Sequence, residues 1–251
     1  MLSWAQKRRL TYGTIAVVFV ILVIGLPSFL IFYRAPTCFD NKQNGGEFGI
    51  DCGGKCERLC QSSFFAPSVA WTRFEMVVPG TYNVASYVIN PNTDAEAKEV
   101  PFSMSLYDRE GMLIITKSGN VTIPPHRNIL AFSSLVNVGQ SIPSRSTFEF
   151  SSPPNWEKKK DSLPYLSVIS KDYSEEENRS SLLVKIRNSN SKSVQNLIVF
   201  SILYDKEGNV VGFSKTKIDE IGPSSIADAP FTWNYSRDDQ VVSIEVLYMA
   251  E

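Results

Sequence analysis

The chain has 251 residues, with 25 basic and 26 acidic side chains and one histidine, so its formal net charge is −1. A near-neutral chain without a clustered basic face lacks the electrostatic footprint of a nucleic-acid-binding protein, and we expect no nucleic-acid partner. Hydrophobic residues make up 43% of the sequence, which favours a packed core over intrinsic disorder.

An uncharged apolar stretch occupies residues 13–33. A helix of this length spans about 30 Å, the thickness of a bilayer's hydrocarbon core. The basic residues 7–9 precede it and only Arg34 follows closely, so the positive-inside rule keeps residues 1–12 in the cytoplasm. A cleaved signal peptide has a shorter apolar core and a small-residue cleavage site. We therefore predict a single uncleaved anchor in the plasma membrane, a short cytoplasmic stub and an extracytoplasmic remainder.

All four cysteines fall within residues 38–60, at Cys38, Cys52, Cys56 and Cys60. In an oxidising compartment a clustered even number of cysteines indicates disulfides. Zinc is disfavoured because it needs reduced thiolates and usually a shorter C-x2-C spacing. Four cysteines allow three connectivities, and the spacing does not choose among them.

Oxygen-bearing side chains recur between these cysteines, at Asp40, Asn44, Glu47 and Asp51. Calcium prefers several carboxylate and carbonyl oxygens held by tight turns, so these four residues are the candidate ligands of a calcium ion. Their order is not that of an EF-hand loop. The favoured alternative is that Asp, Asn and Gly form the turns of a disulfide-linked module without any cofactor.

Residues 38–60 resemble a cassette of exported bacterial proteins, written C-x-D-x3-N-G-x-E-x-G-x-D-C-G-G-x-C-x3-C. The resemblance implies a protein of the bacterial cell surface and no enzymatic role. Because the anchor ends close to Cys38, we expect the cassette to form a stiff collar at the membrane surface.

The remaining chain contains an internal repeat. Residues 102–111 and 199–208 share the pattern LYD-x-E-G, 97 residues apart. Each copy predicts a strand, a turn with Asp first and Gly fourth, and a returning strand. Further short strands with turn signals between them predict two β-sandwiches, at residues 64–150 and 165–251. The proline-containing linker 151–164 is expected to hold them apart.

The repeat resembles the bacterial FxLYD family, a small immunoglobulin-like module, over residues 86–132 and 181–231. Met104 and Ser201 stand where that family has phenylalanine. The resemblance implies immunoglobulin-like sandwiches on an envelope protein. The predicted fold is therefore all-β, with two tandem immunoglobulin-like sandwiches after a single N-terminal transmembrane helix.

The two copies of the repeat differ on one strand face. Ser103 and Ser105 in the first copy correspond to Phe200 and Ile202 in the second, beside Tyr204. Either the second strand is covered on both faces by its own domain, or Phe200, Ile202 and Tyr204 form an interface with the first domain or with a partner. The sequence alone leaves both interpretations open.

Catalytic motifs are scarce. His126 is the only histidine and follows two prolines, and the sequence has neither a nucleophile elbow nor a glycine-rich phosphate loop. We therefore predict a non-enzymatic envelope protein with structural or protein-binding roles, another envelope protein as partner and no small-molecule substrate. The alternatives are an accessory subunit of a pilus or secretion assembly, and an enzyme with an unrecognised site.

Overall fold

A computed structural model describes residues 3–28, 33, 35–160, 163, 165–177, 179–234 and 241–250. The chain has two compact units, residues 1–56 and 57–251. Residues 29–32 of the predicted anchor, Arg34, and residues 161, 162 and 164 of the predicted linker lie outside the described residues.

The apolar N-terminal stretch is helical. Helix α1 spans Trp4–Val20, and the chain continues as a π-helical segment, Ile21–Gly25, to Ser28. The helix begins well before the predicted start at residue 13, because Ser3 caps it: the Ser3 hydroxyl accepts from the Gln6 N–H, and the Gln6 side chain accepts from the Ser3 N–H. The 25 residues Trp4–Ser28 are long and apolar enough to cross a membrane, and none in their most apolar window is buried.

The helix widens directly before Pro27. The Leu26 N–H donates to the carbonyl of Ile21, five residues earlier, rather than to the residue four before. A proline lacks an N–H, and its ring crowds the carbonyl of the preceding turn, so a helix commonly departs from α geometry there. The π turn therefore lies where the sequence places Pro27.

The second unit is built from β-strands, after a 3-10 turn at Gln61–Ser63. The described strands are, in chain order, β1 (Ser68–Val78), β2 (Thr81–Ile89), β3 (Ala95–Tyr107), β4 (Leu113–Ile123), β5 (Ile129–Asn137), β6 (Arg145–Phe150), β7 (Trp156–Lys158), β8 (Leu166–Glu176), β9 (Arg179–Asn188), β10 (Val194–Tyr204), β11 (Val210–Ile221), β12 (Ile226–Trp233) and β13 (Ser243–Ala250).

These strands form two sandwiches with the same strand order. In sandwich 1 the sheet β1-β2-β5 faces the sheet β4-β3-β6, and β7 pairs with the start of β3. In sandwich 2 the sheet β8-β9-β12 faces the sheet β11-β10-β13. All pairings are antiparallel. The prediction of all-β domains after an N-terminal helix is confirmed.

Each sandwich has its own core. Strand β3 supplies Phe102, Met104 and Leu106 to the core of sandwich 1, on alternate positions as its sequence predicts. Strand β10 supplies Leu197, Val199 and Leu203 to the core of sandwich 2 in the same way. A third apolar cluster lies between β2 and β5 of sandwich 1 and β10 and β11 of sandwich 2. The sheets therefore stack as four layers.

The region expected to be a spacer differs from the prediction. Trp156 lies on β7 and is buried in the core of sandwich 1, whereas Leu163 is buried in the core of sandwich 2. The two sandwiches are not held apart, because a shared apolar cluster packs them together. Glu175 and Glu176 belong to an acidic run of the kind typical of loops, but they complete β8.

Candidate functional site

The residues predicted as an interface lie between the two sandwiches. Phe200 and Ile202 are buried, 4% and 0% exposed, on the face of β10 that points away from the core of sandwich 2. Tyr204 packs at the edge of the same cluster. We call this cluster the inter-sandwich interface; its buried members are Ala85, Tyr87, Leu130, Phe200, Ile202 and Phe213.

Aromatic rings fill the inter-sandwich interface. The Phe132 ring lies 6.2 Å from the Phe200 ring and 6.0 Å from the Phe213 ring, the latter edge to face. The Trp71 ring lies 5.7 Å from Tyr87 and 6.2 Å from Phe213. Such pairs contribute about 0.5–1.5 kcal/mol each beyond the area they bury, so this contact favours one fixed arrangement of the sandwiches.

A carboxylate ties the sandwiches together at one side of the inter-sandwich interface. Glu245 on β13 accepts a 2.7 Å hydrogen bond from the Tyr87 hydroxyl of sandwich 1 and a 2.8 Å bond from the Tyr204 hydroxyl of its own sandwich. The side chain of Asn128 donates to the Tyr87 oxygen at 3.1 Å. Hydrogen bonds to a charged group are the stronger kind, and here two donors fix one carboxylate.

Burial and this carboxylate change the acidity of both tyrosines. Loss of solvent, followed by the bond to Glu245, raises the pKa of Tyr87 to about 12. The same causes, in the same order, raise the pKa of Tyr204 above its ordinary value of 10.0. Both hydroxyls therefore stay protonated and remain donors across the physiological range.

A second polar contact crosses the inter-sandwich interface at its other side. The backbone N–H of Phe213 on β11 donates to the Glu75 carboxylate on β1 at 3.0 Å. A solvent-open cleft of about 360 Å³ is also lined by residues of both sandwiches, Phe132 and Lys215 among them. The Lys215 ammonium lies 5.6 Å from the centre of the Phe132 ring, so a cation covers that aromatic face.

The cysteine cassette is disulfide-bonded, as predicted. Cys38 and Cys56 are joined with a Cα–Cα distance of 5.7 Å, and all four cysteines are in disulfides. Gly54 shows why this cassette needs glycine: its φ is +61°, and a Cβ there would overlap the carbonyl of Gly46.

The candidate calcium ligands act as acceptors for turns in the same cassette. Asp51 accepts from the backbone N–H groups of Asp40 and Asn41 at 2.9 Å, and Glu47 accepts from that of Asn44. The Asn44 amide donates to Asp40 at 2.9 Å, and this bond is the largest cause lowering the pKa of Asp40. Among the described residues, the buried Oδ1 atom of Asn44 has no donor.

These bonds bear on the calcium prediction. Within the described chain, the group of metal-type ligands that lie within 4.8 Å of one another is Cys38, Glu47 and Cys56, and its two sulfurs form a disulfide. An ion bound by Asp40, Asn44, Glu47 and Asp51 would have to draw carboxylate oxygens away from N–H groups. The calcium site stays a prediction from the sequence.

The two LYD aspartates form turns. Asp108 accepts from the Met112 N–H at 2.8 Å, and Asp205 accepts from the Asn209 N–H at 2.8 Å. The glycines that close these turns, Gly111 and Gly208, have φ of 82° and 81°, a conformation that glycine adopts without steric cost. His126 is exposed in a turn with φ of 58°. These residues are placed for chain reversal.

Several residues of the inter-sandwich interface were missed by the sequence reasoning. Tyr87 and Ala85 lie on β2, whose stretch Val84–Val88 is buried on both faces. That stretch, VASYV, is apolar on both alternate sets of positions, which was the available signal. No local signal marks Glu245, because its two partners are brought to it only by folding.

No family model matches this chain, and no curated protein matches it at a significant level. A red sea bream transglutaminase aligns with a TM-score of 0.25 and 14% identity, over 74% of this chain and 29% of its own. A β-glucuronidase from glycoside hydrolase family 2 aligns with a TM-score of 0.21 and 12% identity, over 69% of this chain and 24% of its own. A tandem CBM22 domain of Paenibacillus barcinonensis aligns with a TM-score of 0.14 and 6% identity, over 74% of this chain and 86% of its own. The chain thus spans under a third of the first two proteins, and TM-scores this low carry no argument about its fold or function.

Proposed function

We propose that this protein is a non-enzymatic, single-pass protein of a bacterial cell envelope that holds a rigid pair of immunoglobulin-like sandwiches outside the plasma membrane. Its role there is to position or bind another envelope protein. The observation that carries the proposal is the inter-sandwich interface, which makes two modules into one stiff body.

The helix supports the membrane part of this proposal. From Trp4 to Pro27 its side chains are exposed, so no part of the described protein covers its apolar surface. A helix of 25 residues is about 37 Å long, enough to cross the hydrocarbon core with some tilt. Arg8 lies 4.5 Å over the Trp4 ring, a basic and aromatic pair of the kind found at the cytoplasmic membrane surface.

The stacked sheets support the display part of the proposal. An apolar face of each sandwich packs against the other sandwich, whereas the outer faces carry polar pairs. Ser105 bonds to Thr116 on the outer sheet of sandwich 1, and Lys185 pairs with Asp228 on that of sandwich 2. A body of this kind meets partners through its edges or loops. The matching LYD turns and strand orders agree with a tandem FxLYD-type duplication.

The test is carbonate extraction of membranes, followed by external protease digestion of intact spheroplasts. We expect the chain to stay in the membrane pellet, and the protease to remove everything after the anchor. Release by carbonate, or full protection from external protease, would contradict the proposal. Replacing Lys7, Arg8 and Arg9 by Glu should lower the fraction of chains in this orientation, whereas Lys206→Glu should leave that fraction unchanged.

Partner capture separates the proposed role from its alternatives. Photo-crosslinking in intact membranes should give adducts from positions on the sandwiches. Adducts only from the helix, to components of a pilus or secretion assembly, would favour the accessory-subunit alternative. Turnover of any envelope substrate by the purified chain would revive the enzyme alternative.

A further inference from the structure

We infer that the outer edge of β13 pairs with β13 of a second copy of this chain, forming a two-fold dimer through a continuous sheet. Strand β13 lies at the edge of the sheet β11-β10-β13, and no described strand pairs with its outer side. It runs regularly along β10 for eight residues without a bulge. Such an edge presents a row of backbone groups to any strand that can reach it.

The other described edge strands carry features that discourage pairing. Exposed charged residues, a proline or a bulge interrupt them: Arg73 on β1, Lys117 on β4, Leu135 with φ of 51° on β5, Asp172 on β8, Lys217 on β11 and Pro230 on β12. Charges, prolines and bulges are the usual means of blocking edge-to-edge association. Strand β13 has one charged residue, Glu245, and its carboxylate is held by Tyr87 and Tyr204.

In sandwich 1 the strand that corresponds to β13 is β6, which carries the exposed charges Arg145 and Glu149, and β7 extends the same edge of the sheet. Residues 57–59 pair with β7: the Leu59 N–H donates to the carbonyl of Trp156, and the Lys158 N–H donates to that of Glu57. Pro153 and Pro154 precede β7 and interrupt the same edge. In sandwich 2 no described segment does this for β13, and its apolar residues, Ile244 to Met249, are only partly buried.

Two hydrogen bonds identify the free backbone groups. The Phe213 N–H on β11 donates to Glu75 rather than to β10. Its partner on β10, Ile202, therefore directs its own backbone N–H and C=O toward β13, where Glu245 lies opposite. The backbone N–H and C=O groups of successive strand residues point to opposite sides. Those of Glu245 point to β10, so those of Ile244, Val246 and Tyr248 point away from it, to the outer edge. In agreement, the Ile244 carbonyl accepts from the Lys171 side chain at 2.7 Å.

This pattern is self-complementary. With a two-fold axis at Val246, each Val246 meets its own copy and Ile244 meets Tyr248. The outward groups then face each other and make about six hydrogen bonds once the Lys171 side chain leaves the Ile244 carbonyl. Glu245 then lies opposite Leu247, so no like charges meet. A strand with this symmetry, whose single charge is held by its own chain, fits a second copy, and a membrane anchor would raise the local concentration of copies. The sheet would continue through both protomers.

The first experiment measures the mass of the full chain in detergent micelles, by light scattering over a range of protein concentrations. We expect a reversible monomer–dimer equilibrium. Val246→Pro removes an outward N–H, which costs no bond to β10, and edge strands tolerate proline. It should weaken the dimer by roughly 10- to 100-fold, since two central hydrogen bonds are lost, with the circular dichroism spectrum unchanged. A dimer that persists in this variant is held by another surface, the helix included, and would overturn the inference.

A second experiment does not depend on how the proline variant folds. In native membranes, Val246→Cys should form an intermolecular disulfide on mild oxidation, because Cα atoms about 5.5 Å apart in a hydrogen-bonded pair are within disulfide range. The native cysteines supply no free thiol. Ser103→Cys, on the outer sheet of sandwich 1, is the matched control and should not crosslink. A monomeric chain, equal crosslinking of both variants, or a Val246→Cys adduct with an unlike protein would each overturn pairing between copies.

Discussion

Phe200→Ala tests whether the two faces of β10 have different roles. Phe200 faces the inter-sandwich interface, whereas Leu203, three residues later on the same strand, is fully buried in the core of sandwich 2. Truncating a buried Phe typically costs about 3–5 kcal/mol, and truncating a buried Leu about 2–5 kcal/mol. The two substitutions should therefore lower the free energy of unfolding by similar amounts. Phe200→Ala should act at the inter-sandwich interface, and Leu203→Ala in the core of sandwich 2.

Phe200→Ala should weaken the coupling between sandwiches and leave each core intact. We expect the lower value, about 3 kcal/mol, because Phe132 and Lys215 border a solvent-open cleft and can close part of the space left behind. The wild-type protein should unfold in one cooperative transition, and Phe200→Ala in two. Leu203→Ala should instead lower the stability of sandwich 2 itself.

Tryptophan fluorescence can locate each loss during urea unfolding of the full chain in micelles. Trp71 reports on the inter-sandwich interface, Trp156 on the core of sandwich 1 and Trp233 on that of sandwich 2. Each tryptophan is observed alone, in a variant whose other tryptophans are replaced by Phe. If Phe200→Ala and Leu203→Ala shift the Trp233 transition equally, with no separate change at Trp71, then both faces of β10 stabilise one core and the reasoning is wrong.

Three further predictions concern polar groups. Glu245→Ala leaves two tyrosine hydroxyls without their acceptor and should lower the free energy of unfolding by about 2 kcal/mol in urea titration, whereas exposed Glu149→Ala should change it by under about 0.5 kcal/mol. Because the pKa of Tyr87 is raised from 10.0 to about 12, and that of Tyr204 is raised too, their contribution is complete below pH 10 and is lost as the pH rises toward 12; tyrosinate absorbance and fluorescence should show this loss. Ser201→Ala should increase the free energy of unfolding by about 1 kcal/mol and so raise the melting temperature, because this fully buried hydroxyl has no partner among the described residues.

Each of these has a contrary outcome. Equal effects of Glu245→Ala and Glu149→Ala would mean that the carboxylate bonds contribute nothing to stability. If Tyr87→Phe and Tyr204→Phe leave the alkaline titration curve unchanged, the two hydroxyls titrate like the remaining tyrosines. A lower melting temperature for Ser201→Ala would indicate that the hydroxyl is hydrogen-bonded in solution.

Local pattern was enough for much of the fold. Alternating residues such as Phe102, Met104 and Leu106 predicted strands, and Asp108 with Gly111 predicted the turn that follows. The pattern failed at β7, because three residues after two prolines carry no periodic signal and pair with β3 some 60 positions earlier. It also failed at Glu175 and Glu176, where the pairing of β8 with β9 overrode a charge run typical of loops.

The sequence by itself determined the composition of each segment. An uncharged helix, four clustered cysteines and strands of fixed alternation follow from residues close together in the chain. What the structure decided is what covers each apolar face. Alternation shows that Phe200 and Ile202 form an apolar face, but a second sandwich covers it, and Glu245 meets Tyr87 from 158 positions away. Contacts of that separation depend on the stacking of whole sheets, which no local pattern encodes.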